Sequence, residues 1–269
     1  MMDKDIFSFD RLWKLARFYT PAIRLVLIIF GLLLVFAFWI SFTGMSIMKS
    51  NPENPFGFLL SSLGNSLAGW SYYAGPFVFA FCSRRGVATV LPASWVEKSV
   101  FMFGWVFVVY PAILAAIWYS LVGIFSIFSN VSSFNEMAVE MLRHDAPGFD
   151  MQNFAAASWL STAASSMFTV AVTCMMIVYS RRHRIVMGIV GIIGSGFVGT
   201  LVGIALGIWA LFYTDFIQSI QQDTFTPDTM TNNLLGTIMN SLPIVGIAVI
   251  CVVIMIMILT VRKIKTCQN

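Results

Sequence analysis

Arg84-Arg85-Gly86-Val87-Ala88-Thr89-Val90-Leu91-Pro92-Ala93-Ser94-Trp95-Val96-Glu97-Lys98 is a short charged island between two long apolar runs, 57–82 and 99–128. Each run meets the requirement of about 20 predominantly apolar residues for a helix that crosses a bilayer. The island therefore reads as a loop held against one membrane face. Ser94 is placed to cap a helix whose first turn holds Glu97, a favourable position near the positive end of the helix dipole. Pro92 stiffens the entry to that helix. Charge alone fits either an ordinary positive loop or a firm element on which a soluble partner pushes.

Working outward, four further apolar runs cover 25–45, 154–180, 185–213 and 237–261, which makes six. Hydrophobic residues are 58% of the 269 positions and charged residues 10%, too few to disperse a soluble domain of this size. The sequence predicts an all-α membrane protein with one transmembrane domain over 1–269. Residues 6–20 precede the first run. Wound as a helix, they place Phe9, Leu12, Trp13, Ala16 and Tyr19 on one face and Asp10, Arg11, Lys14 and Arg17 on the other. That pattern predicts an amphipathic helix, either lying in the membrane interface or docked on the bundle, which Pro21 breaks before the chain enters the bilayer.

Orientation follows from the basic residues. Of the 16 Lys and Arg, all but Lys49 and Arg143 fall at the N-terminus, in the loops after the second and fourth runs, or after the sixth. By the positive-inside rule this predicts six spans with both termini cytoplasmic. The outer loops are acidic. In 214–236, Thr226-Pro227-Asp228 has the form of an N-cap followed by Pro at the first helical position, so this loop reads as two short helices or as a solvated connection.

Several chemistries are excluded by what the runs lack. None carries an ionisable residue near its centre, which argues against a proton-coupled carrier. There is no His-Glu-x-x-His, Gly-x-Ser-x-Gly or phosphate-binding Gly-x4-Gly-Lys-Ser/Thr motif, so no catalytic residue, cofactor or metal is expected and any ATP must be bound by another chain. Cys82, Cys174, Cys251 and Cys267 have no CxxC spacing and read as packing residues.

Two runs carry packing signals. Gly191, Ser195, Gly199, Gly203 and Gly207 recur every four residues in the fifth, a spacing that lets another helix approach closely, within the chain or from a second subunit. The second run is the most polar. Its Asn65, Ser66, Tyr72 and Tyr73, ahead of a kink at Pro76, line a pathway or make structural hydrogen bonds inside the bundle.

Leu91-Pro92-Ala93-Ser94-Trp95-Val96-Glu97-Lys98 resembles the Leu-Pro-[Ala/Val]-Ser-x-x-Glu signature after the second span of ABC type-2 exporter permeases, in particular a compact branch from Bacteroidetes. The order of elements is similar as well, although the outer loop over 129–153 is longer and more acidic than that family leads one to expect. The resemblance implies a permease subunit in the bacterial inner membrane, a homodimer or a pair with a second permease, working on a separate cytoplasmic ATPase. It implies that Arg84, Arg85, Leu91, Pro92, Ser94, Glu97 and Lys98 belong to the ATPase-coupling loop. Nucleic acid is not an expected partner. The alternatives are a non-transporting assembly or sensory subunit, and a small channel or sodium-coupled carrier.

Overall fold

The first apolar run does not begin a new helix at Pro21. In the computed structural model, which describes residues 7–51, 54–81, 94–129, 151–180, 182–213 and 227–266, α1 runs unbroken from Phe9 to Ser50 with Pro21 inside it. The expected break is corrected. Pro21 removes one helix donor, a cost of about 3 kcal/mol or more. Leu15, Ala22 and Val26 on either side are buried, and that packing holds the helix through the defect. Phe9 (78% exposed) and Trp13 (73% exposed) point outward, whereas Arg11 turns inward to a carboxylate on another helix.

With 42 residues, α1 is about 63 Å long at 1.5 Å per residue. A bilayer's hydrocarbon is about 30 Å thick, so α1 must project beyond it. Asp10, Arg11, Lys14, Arg17 and Arg24 mark the projecting end.

α2 (Pro55–Tyr72) starts with Pro at its first position and Asn54 as cap, the Asn54 side chain accepting from the Phe56 N–H at 3.0 Å. It returns along α1, and these two form the most extensive helix pair among the described elements. Small residues make the approach possible. A Cβ on Gly44 would lie 2.5 Å from the Ser61 nitrogen, and one on Gly64 would lie 2.6 Å from the Ser41 nitrogen. Such distances admit no side chain, so backbone packs directly on backbone, as small residues allow between membrane helices.

The chain then turns at 73–76 and resumes as α3 (Phe77–Phe81). After the undescribed residues 82–93, α4 (Trp95–Gly104), a π-helical turn (Trp105–Val109) and α5 (Tyr110–Ser129) form one apolar rod. Rings lock α5 to α1: Phe38 meets Trp118 at 5.2 Å, and Phe42 meets Phe125 at 4.9 Å. α6 (Met151–Tyr179), α7 (Arg184–Tyr213) and α8 (Pro227–Thr266) complete the described chain. α8 begins at Pro227, as its cap signal predicts, but runs without interruption through Pro243, so this stretch is no separate short helix.

Among the described residues, five helical segments are long and apolar enough to cross a membrane: Phe9–Met48, Trp95–Phe125, Leu160–Tyr179, Arg184–Leu206 and Ser241–Thr266. The protein is all-helical across its described residues and has the make-up of a multi-pass membrane protein. The second apolar run is not among the five. Its helix ends after 18 residues, and Ser61, Ser62, Asn65, Ser66 and Ser71 dilute its apolar character. The helices gather into two units: one holds α1 to α5 with the adjoining ends of α6, α7 and α8, and the other holds the remainder of those three.

Candidate functional site

The charged end of the first unit is organised around one carboxylate. Ser94 caps α4 as its sequence position predicts: its hydroxyl accepts from the Glu97 N–H at 3.2 Å, while Glu97 Oε2 accepts from the Ser94 N–H at 2.8 Å. This reciprocal pair satisfies two donors that a helix start otherwise leaves open. Glu97 Oε1 reaches across to α1, accepting from the Ser8 N–H at 2.8 Å and from Arg11 Nε at 3.0 Å. Glu97 is 0% exposed and the Arg11 side chain 29%. A buried carboxylate is tolerable only when its lone pairs are filled, and here two backbone N–H groups and a guanidinium fill them.

Around this hub the contacts are aromatic. Tyr19 of α1 stacks on Phe101 of α4 at 5.3 Å and meets Phe79 of α3 edge-on at 5.5 Å, while Phe79 meets Phe101 at 6.2 Å. The three rings fasten three helices at the projecting end. Lys265 Nζ lies 5.4 Å from the Trp95 ring centre and Lys263 Nζ lies 5.4 Å from that of Tyr179, so the tail of α8 shares this end. Cation–ring contacts of this kind are worth about 0.5–1 kcal/mol each where water reaches them. Asp10 and Lys14 make an exposed pair at 2.7 Å that adds little.

Of the predicted coupling-loop residues, Ser94, Glu97 and Lys98 lie on or at the start of α4, while Arg84, Arg85, Leu91 and Pro92 fall outside the described residues. Ser94 and Glu97 are buried and Lys98 is half-buried. The Glu97 side chain is committed to the two helices it joins. Arg11 and Ser8, which complete the hub, were not legible from the pattern of residues 6–20, where Arg11 falls on the polar face.

The other predicted residues lie away from the hub. Asn65 and Ser66 are exposed on α2, Asn65 at the edge of the face that packs on α1, where Ser41 Oγ donates to Asn65 Oδ1 at 3.5 Å. Tyr72 and Tyr73 are half-buried at the end of α2, their rings 5.8 Å apart. On α7, Gly191 and Ser195 are buried, Gly199 and Gly203 are exposed with nothing within 4 Å of an added Cβ, and the surroundings of Gly207 are not described. The closest packing of small residues in the described chain is instead at Gly44, Gly57 and Gly64. Its signal, Gly57-x3-Ser61-x2-Gly64, is present in the sequence but is overshadowed by the longer run in α7. Among the described residues no cluster of His, Cys, Asp and Glu could hold a metal ion, and Cys174 and Cys251 are free thiols.

Comparison with family models, with curated proteins and with solved structures finds no match to this chain.

Proposed function

We propose that this chain is the membrane-spanning permease subunit of an ATP-binding-cassette type-2 exporter. It crosses the bacterial inner membrane six times, with α2 and α3 together making the second span and both termini in the cytoplasm. A separate ATPase subunit bears on the loop 84–98, and the chain works as a homodimer or beside a second permease.

The observation that favours this reading is the way α4 begins. The loop that resembles a coupling loop leads directly into a helix start fixed by the Ser94–Glu97 box and tied through Glu97 to Ser8 and Arg11. A push on the loop then loads two helices at once, α4 and the projecting end of α1. An ordinary surface loop has no need of a buried carboxylate bridging two helices, since such a bridge is expensive to desolvate.

The test is purification of the tagged chain in mild detergent with its native membrane partners. An ATPase subunit should co-purify, and its ATP hydrolysis should rise when the permease is present. Leu91→Asp should reduce that stimulation about tenfold or more while insertion and yield stay unchanged. A stable complex containing no ATPase would sink the proposal.

A further inference from the structure

The chain breaks between α2 and α3, within what is proposed as the second span, and the helix that carries the π-helical turn is distorted opposite the break. Around 71–79 the backbone bonds run from residue i to i+3: Ala74 to Ser71, Phe77 to Ala74, Val78 to Gly75 and Phe79 to Pro76, at 2.9–3.5 Å. This stretch is wound more tightly than an α-helix. Across from it the third span is wound more loosely, with the Tyr110 N–H donating to the Trp105 carbonyl five residues back. Pro111 follows at once and has no N–H to restore the regular ladder.

The two distortions are joined by two side chains. Tyr110 Oη donates to the Ser71 carbonyl at 2.7 Å, and Trp105 Nε1 donates to the Gly75 carbonyl at 3.2 Å. Both residues are buried, and the rings stand 5.9 Å apart. In a regular α-helix, positions five apart point about 140° away from each other. Only the wide turn brings Trp105 and Tyr110 to one face, where both can reach the break. Gly75 completes the fit, since a Cβ there would lie 2.7 Å from the Tyr110 ring.

We infer that the turn 73–76 and the wide turn Trp105–Val109 form one hinge, held shut by Trp105 and Tyr110, which opens when the wide turn migrates along the third span. π-Helical turns are displaced insertions in an α-ladder, and they occur often where a helix must change its winding in use. Migration by one position swings Tyr110 away from Ser71 and leaves the Ser71 and Gly75 carbonyls with only the Ala74 and Val78 N–H groups. Closed, the Ser71, Ala74, Gly75 and Pro76 carbonyls at the break all accept hydrogen bonds, as non-helical backbone inside a bundle requires. Open, the Ser71 and Gly75 carbonyls each have one acceptor position vacant for water or a passing solute. The inference concerns the chain itself and holds whatever partner drives it.

Hydrogen exchange of the full chain in lipid nanodiscs tests it. Tyr110→Phe removes one oxygen and leaves the ring, so exchange across 71–81 should rise about tenfold, the effect of losing one buried hydrogen bond. Tyr119→Phe, an exposed position on the same helix, should leave those amides unchanged. Gly75→Ala should give the Tyr110→Phe signature, and the double variant should add nothing to either, because both changes open the same contact. Exchange in Tyr110→Phe within twofold of the parent across 71–81 overturns the hinge. A rise spread evenly over all helices also overturns it, since that marks a general packing contact.

Discussion

Glu97 shows how one residue can carry more weight than its position suggests. The three hydrogen bonds to its carboxylate are shared between its own helix start and α1, and the side chain is fully buried. Glu97→Gln keeps the shape but gives the side chain only one good acceptor for three donors. Each lost charge-assisted bond costs about 1.5–3 kcal/mol. The expected result is a lower thermal midpoint in detergent and faster proteolysis near Ser8, with the chain still inserted. Arg11→Ala should cost less, because the Arg11 side chain is partly exposed and water replaces some of what it supplies. A larger loss from Arg11→Ala than from Glu97→Gln would contradict the hub. Glu97→Arg, which buries a second cation beside Arg11, should damage the fold locally and is a poor probe of partner contact.

At the scale of elements, packing decides what periodicity only suggests. The Ser94–Glu97 box and the Pro227 helix start are local, set by residues within one turn, and both are legible in the sequence. The run of small residues in α7 is equally visible, yet Gly199 and Gly203 meet nothing. Spacing tells which helix face invites a close neighbour and not which helix comes. The partners Gly44, Gly57 and Gly64 sit on two helices brought together only by the return at 51–55, so no single window displays them. Trp105 and Tyr110 were hidden for the same reason: their partners are carbonyls, which every residue has. Gly64→Leu should therefore abolish folding, measured as loss of the monodisperse peak in gel filtration after solubilisation. Gly199→Leu and Gly203→Leu should leave that peak intact for a single chain. If they instead split a larger species into single chains, the α7 stripe serves a second subunit.

For the whole molecule, the charge distribution and the five apolar helices agree on a membrane protein, while orientation rests on the basic residues. The proposed orientation, with both termini on the cytoplasmic face, predicts that tags fused at either end stay protected in intact cells, whereas a cysteine introduced at Ser133 is labelled by an impermeant maleimide. Labelling of the tags from outside would reverse the orientation. The segments 130–150 and 214–226 and the charged loop 82–93 contain most of what lies outside the described residues.

The unbroken course of α1 has a mechanical meaning. A helix that continues through Pro21 has no joint between its projecting end and its apolar length. At ~63 Å it is about twice as long as the hydrocarbon is thick, and so is long enough to act as a lever. A sideways displacement at Arg11 returns as one in the opposite direction at the far end near Met45, where Gly44 rides on α2. Cutting the lever with two glycines after Thr20 should leave both ends folded and stop motion at one from reaching the other.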